Sequence, residues 1–278
     1  MIYLGPAGIP VTSKERSTAS GIRTVAELGL NAMEVEFVHG INMSIAAAKD
    51  VGEIAKDLDV KLSVHCPYAI NLSSKDKKVI EASKQRILDS AARATEFNGS
   101  PIVFHPGYYM AQSPETAYSL VKEACESLVD KMKEKGIKNV LLGLETTGKV
   151  SQFGTLEENI EISKEVDGCM PALDPAHLFA RDGGKIDYSE MFEKMKPLKL
   201  NHVHMHFSGI KWRPVKLTGN GNEWHHMEIK TDQPPFEPLA KEILKRKLDV
   251  TIICESPILE QDSLRMKEIF QKLGYKFK

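Results

Sequence analysis

The stretch NVLLGLETTG, residues 139–148, decides the fold. Val140–Gly143 is an apolar or small run that leads through Leu144 to one carboxylate, Glu145, and then to the turn residues Thr146, Thr147 and Gly148. So short a continuous apolar run, closed by turn residues, reads as a strand buried on both faces, the signature of a parallel sheet. Glu145 stands where that strand stops. A carboxylate there needs a partner, because an unpaired buried charge is costly.

Outward from this strand the chain repeats the same unit. Strand-like runs fall near 1–5, 32–38, 61–66, 101–105, 139–145, 170–174, 201–207 and 249–255. Amphipathic, helix-like stretches fall between and after them, near 14–29, 43–58, 74–98, 113–135, 156–166, 188–196, 235–247 and 260–273. Ser113 before Pro114–Glu115, and Thr155 before LEENIEI, are plausible N-caps. Gly99 and Gly136 follow helices where a left-handed residue suits. Eight strand-then-helix units with no break in composition predict α/β architecture, a single (β/α)8 TIM barrel over 1–278 with its site at the C-terminal face of the strands. The longest irregular stretch is 208–234, and a loop of that length inside a compact domain is usually functional.

Composition bounds the function. The chain has 278 residues, 42% of them hydrophobic and 27% charged, with a net charge of −1. This is an ordinary soluble profile that does not advertise a general nucleic-acid binder, though a local basic face fits within a neutral total. Cys66, Cys125, Cys169 and Cys254 have no CxxC spacing and read as reduced core thiols of a cytoplasmic protein. MIYLGPAGIP lacks the basic and apolar regions of a signal peptide. No apolar run approaches the roughly 20 residues of a membrane span. No sustained heptad suggests an obligate protein partner, so a monomer is expected.

The polar residues fall at strand ends. His65 closes the third run, His105 the fourth, Glu145 the fifth and Asp174 the sixth, with His177 three residues on. The seventh, NHVHMHFSG, has His202, His204 and His206 in alternation, so all three share one face. The loop beyond it holds EWHH, with Glu223, His225 and His226, and the eighth run ends in Glu255. Taken singly, a strand-end histidine is more often a hydrogen-bonded core residue, Asp174 is a turn cap, His226 is a solvated loop residue, and Glu34 and Glu36 are interior or exposed polar positions. Together, five of nine histidines (His65, His105, His177, His204, His225) and three carboxylates (Glu145, Asp174, Glu255) lie at or just beyond C-terminal strand ends. In a barrel those ends open on one face, where active sites are built.

Imidazoles and carboxylates without thiolates suit zinc, and manganese or iron less specifically. Eight such residues exceed one tetrahedral ion, so two or three metals sharing bridging carboxylates is the economical arrangement. Metal pairs about 3.5–4 Å apart serve phosphodiester hydrolysis.

The segments HCPYAINL (65–72), FHPG (104–107), LETTG (144–148), LDPAH (173–177), VHMHFSG (203–209), EWHH (223–226) and CES (254–256) resemble the endonuclease IV family of AP endonucleases, among the xylose isomerase-like TIM barrels. The resemblance spans essentially the whole chain. It implies a zinc-dependent enzyme of base excision repair that cleaves double-stranded DNA 5′ to abasic sites. It also implies three Zn2+ ions, one of which could be replaced by Mn2+. The first would be held by His65, His105 and Glu145; the second by Glu145, Asp174, His204 and Glu255; the third by His177, Glu223 and His225. Spacing alone leaves His206 competing with His204, and the resemblance selects His204. Glu145 and Glu255 would be the catalytic carboxylates, Glu145 orienting the attacking water. Tyr68 matches the family's wedge tyrosine. Lys211 and Arg213 would contact phosphates, as would Lys75, Lys77 and Lys78. Three departures stand out: FVHGINMS (37–44) carries no Arg in the DNA-penetrating loop, Ala69 replaces the usual apolar partner of Tyr68, and Glu223 stands where the family has Asp.

Two other readings fit parts of this pattern. One is a sugar isomerase or epimerase on the related barrel, using one or two divalent ions; it has no use for the third set. The other is a non-catalytic DNA-damage binder or metal store.

Overall fold

The computed structural model describes residues 1–229 and 233–277. Its elements run β1 (Ile2–Pro6), α1 (Thr18–Glu27), β2 (Ala32–Glu36), α2 (Ile45–Asp57), β3 (Lys61–His65), α3 (Lys77–Glu96), β4 (Ile102–Phe104), β5 (Gly107–Tyr108), α4 (Pro114–Glu134), β6 (Leu142–Glu145) and β7 (Gln152–Phe153). They continue with α5 (Leu156–Glu165), β8 (Cys169–Leu173), α6 (Pro175–Arg181), α7 (Tyr188–Met195), β9 (Val203–Phe207), β10 (Gly209–Pro214), β11 (Gly221–Met227), α8 (Phe236–Arg246), β12 (Val250–Cys254) and α9 (Glu260–Lys272). One sheet has the strand order β1-β12-β9-β8-β6-β4-β3-β2. With helices between successive sheet strands, this is the (β/α)8 order. Two-stranded ribbons, β10–β11 and β5–β7, stand outside it.

The chain divides into two compact units, residues 1–33, 148–150 and 173–278, and residues 34–147 and 151–172. In the first unit β1 pairs with β12 and β12 with β9, all parallel, so that Thr251 lies beside His204 and Ile253 beside His206. Beneath them Phe207, Phe236 and Phe270 pack edge to face, with ring centroids 4.8 and 5.6 Å apart. In the second unit β3, β4, β6 and β8 pair in parallel register. Val64, Ile102, Val103, Leu142 and Leu144 are fully buried, as strands covered on both faces require. Glu34 is an interior residue here, buried and accepting a hydrogen bond of 2.7 Å from the Ser63 hydroxyl.

Local chemistry explains the element ends. Ser113 caps α4, and Thr155 caps α5 in a reciprocal capping box with Glu158. Gly136 takes the left-handed conformation after α4, but after α3 it is Asn98, at φ 52°, that does so rather than Gly99. Asparagine tolerates that region, while a Cβ on Gly99 would meet the Phe97 ring at 2.3 Å. All four cysteines are free and buried. Among the described residues no helix is long and apolar enough to cross a membrane.

The stretch 208–234, expected as irregular, is largely the antiparallel ribbon β10–β11; its residues 230–232 lie outside those described, as does Lys278. From Ile210 to Arg213, burial along β10 alternates with period two. Ile210 is buried and Trp212 half-buried against Ala176, Phe179 and Ala180 of α6, while Lys211 and Arg213 between them are exposed. Helix α6 is so close beneath the ribbon that a Cβ on Gly221 would meet the Ala180 carbonyl at 2.3 Å.

Candidate metal centre

In the second unit three side chains converge where β3, β4 and β6 end. The Glu145 Oε2 lies 3.3 Å from His65 Nε2 and 3.0 Å from His105 Nε2. His65 Nδ1 sits 2.8 Å from the Cys66 carbonyl. That carbonyl can only accept, so Nδ1 carries the proton and Nε2 faces Glu145. Burial opposes an imidazolium at His65, but the hydrogen bond to Glu145 and the charges of Glu36, Glu145 and Glu34 outweigh it and raise the pKa to about 10. A site that holds so much negative charge on a buried ring suits a cation, which would replace the proton on Nε2. Tyr68 stands beside this group, exposed, with its ring edge-on to His65 at a 6.0 Å centroid separation.

In the first unit Asp174 caps α6. Its Oδ1 accepts from the Ala176 and His177 amides at 2.7 and 2.9 Å, which leaves Oδ2 3.3 Å from His177 Nδ1. The first turn of α6 thereby fixes the His177 ring. Its Nε2 lies 2.9 Å from Glu223 Oε2 and 3.3 Å from His226 Nε2. The His226 Nδ1 is 3.1 Å from the Ser208 hydroxyl and 3.6 Å from Glu255 Oε2, and Glu255 Oε1 is 3.2 Å from His206 Nδ1. His177, His226 and Glu255 each offer a ligand atom within 4.8 Å of the others, as do His65, His105 and Glu145 in the second unit. Two imidazole nitrogens and a carboxylate oxygen meeting this closely is a donor arrangement that a divalent cation satisfies.

Glu223 is held from three sides. Its backbone amide donates to Gly148 O at 2.8 Å, its Oε1 pairs with Lys149 Nζ at 3.1 Å, and its Oε2 faces His177. A Cβ on Gly148 would stand 2.2 Å from that Oε2, so a side chain there would have to displace the Glu223 carboxylate. Lys149 is itself fixed, because its carbonyl accepts from Arg181 at 2.8 Å. Neither Gly148 nor Lys149 was singled out as a site residue from sequence; the turn residues after Glu145 were the available signal.

Two expectations change. His226, not His225, lies against His177. Register between β10 and β11 shifts between Lys211 and Trp212, so that Lys211 faces His225 and Trp212 faces Glu223, with Trp224 the extra residue. This β-bulge breaks the alternation: Glu223 and His226 turn inward, and Trp224 and His225 are both exposed. At β9, His206 rather than His204 reaches Glu255. The two share a face and both are buried, with rings 5.6 Å apart. They are separated by two residues, about 6.6 Å along a strand, and only the later one arrives at the strand end.

A model of the xylose isomerase-like TIM barrels matches residues 22–273. An uncharacterized protein of Methanocaldococcus jannaschii is 31% identical over 281 residues, covering 98% of each chain. A probable endonuclease 4 of Mycoplasma mobile is 26% identical over 76% of this chain and 74% of its own. Among solved structures, a D-tagatose 3-epimerase-like protein superposes with a TM-score of 0.71 at 20% identity, covering 96% of each chain. Endonuclease IV from Thermus thermophilus superposes with a TM-score of 0.65 at 17% identity, covering 97% of this chain and 98% of its own. Strand order, helical alternation and the family match agree: the chain belongs to the xylose isomerase-like TIM barrels.

Proposed function

We propose that this protein is a divalent-metal-dependent phosphodiester hydrolase that cleaves duplex DNA 5′ to abasic sites. The observation that carries the proposal is the meeting of His177, Glu223 and His226 in the first unit, in addition to His65, His105 and Glu145 in the second. A small-sugar isomerase has no use for the first of these groups. Relatives described as probable endonuclease 4 support the same reading.

His65, His105 and Glu145 would hold one ion; His177, Glu223 and His226 another; Asp174, His206 and Glu255 supply donors for a third. Bound ions supply charge neutralisation at the phosphoryl oxygens and acidify water. The chain's own part is orientation. Glu145 directs the attacking water in line with phosphorus, and the proton that water loses passes to solvent. The P–O3′ bond breaks, leaving a 3′-hydroxyl on the upstream strand and a 5′-phosphate on the abasic sugar. Tyr68 presents an exposed ring beside His65 that can fill the space of a missing base, and extruding a nucleotide without a base costs less than flipping a paired one.

The test is a duplex with one tetrahydrofuran abasic analogue, incubated with Zn2+ and with chelator. Nicking 5′ to the analogue that chelator abolishes and Glu145→Gln eliminates is expected. Wild-type nicking by a folded Glu145→Gln protein would refute the role of Glu145. A second reading, epimerisation of a ketose, has support from the fold likeness to proteins described as D-psicose and D-tagatose 3-epimerases. It predicts one or two bound ions by native mass spectrometry and turnover of a ketose without any nicking.

A further inference from the structure

The outer face of the β10–β11 ribbon has a construction that the metal centre does not use. Trp224 is 49% exposed. The Arg213 guanidinium carbon lies 3.7 Å from its ring centroid and Lys211 Nζ lies 4.7 Å from it. The His225 ring tilts against the indole at a centroid distance of 4.9 Å. Residues 209–221 include no acidic side chain, and Glu223 is turned inward toward His177. One bulge therefore sorts the strand: carboxylate and His226 to the metal side, indole and His225 to the cationic side.

We infer that this face is a platform for a polynucleotide strand, in which Trp224 stacks one exposed base and Arg213 and Lys211 take the neighbouring phosphates. The inference rests on the polynucleotide reading of the metal centre and deepens it. Stacking on an indole occupies the face of a guanidinium and leaves its in-plane N–H donors directed outward, in the fork geometry that matches a phosphate. The stack also orders Arg213 before any ligand arrives, which lowers the entropic cost of binding. An indole flanked by cations, on a ribbon whose residues 209–221 carry no acid, meets both needs of a nucleic-acid strand, a π surface for the base and positive charge for the backbone.

The test uses the full chain carrying Trp212→Phe, with excitation selective for indole, so that Trp224 is the one tryptophan, since the sequence has two. Titration with dT12 is expected to quench the emission. Trp224→Ala, otherwise in the wild-type chain, is expected to weaken dT12 binding about ten-fold at every salt concentration, and Trp224→Phe to restore most of it. Lys211→Ala and Arg213→Ala should each reduce the slope of log K against log salt by about 0.7. Inorganic polyphosphate, which has charge without bases, should bind without quenching. Unchanged emission with dT12, equal quenching by polyphosphate, or wild-type affinity in Trp224→Ala would each overturn the platform. The two proposals fail separately. A protein that stacks dT12 on Trp224 yet leaves the abasic duplex intact loses the hydrolase reading. One that nicks the duplex equally well at subsaturating substrate with and without Trp224 loses the platform.

Discussion

At the residue scale the site depends on close packing around Glu223. Gly148 has no Cβ because the Glu223 carboxylate occupies its place, 2.2 Å from where that atom would be. Gly148→Ala is expected to push Glu223 away from His177 and cost one bound zinc relative to the parent chain by native mass spectrometry. A full complement of metal in Gly148→Ala would show that Glu223 is not a required donor. The thiols are a contrasting case. Burial pushes Cys66 and Cys254 up to about 12. At pH 8 only about one in 10^4 of such thiols is thiolate, so these two cysteines should resist labelling by a thiol-disulfide reagent until the chain unfolds. Rapid labelling of Cys66 and Cys254 in the folded chain, located by peptide mapping, would contradict the burial of both.

At the scale of elements, the bulge in β11 decides which histidine lies against His177. His226→Ala is expected to lower zinc affinity at least ten-fold at one site, since a lost imidazole ligand is a large fraction of a small donor set. His225→Ala should leave zinc affinity within about two-fold. Equilibrium competition with a chromogenic chelator measures both, and the reverse ranking would mean that the ribbon pairs without its bulge. The helices behave more simply. Thr155 accepts from the Glu158 amide while Glu158 Oε2 accepts from the Thr155 amide at 2.9 Å. Thr155→Ala should cost about 1 kcal/mol, or about 2–4 °C in Tm.

For the molecule as a whole, the proposed reading couples stability to metal through the clustered carboxylates and imidazoles. Zinc at 100 times its Kd stabilises the folded chain by about 2.7 kcal/mol per site, provided that the unfolded chain does not bind it. Tm should therefore rise with added zinc and fall with chelator. A Tm indifferent to both would argue against metal binding in the native state. The fold was legible because both faces of each sheet strand are buried. Val64, Ile102, Val103, Leu142 and Leu144 form short apolar runs with no alternation to confuse, and each predicted strand overlaps an observed one. The ribbon was less legible. Its Ile210 and Trp212 are spaced by cations, which reads as a loop until α6 supplies an apolar surface for them. Helix α6 carried its own signal in LDPAH, an Asp N-cap followed by proline at the first helical position.

The amino-acid sequence by itself determined the eight-fold alternation, the gathering of acids and imidazoles at strand ends, and the identity of His65, His105, Glu145, Asp174, His177 and Glu255 as a candidate donor set. These follow from period and chain position, which are local properties. Only the tertiary structure brings His206 rather than His204 to Glu255, and His226 rather than His225 to His177. Residues of one strand share a face but not a depth, and a single unpaired residue in a ribbon reverses the face of everything after it. Depth and register are set by the neighbouring strand, and no local pattern encodes them.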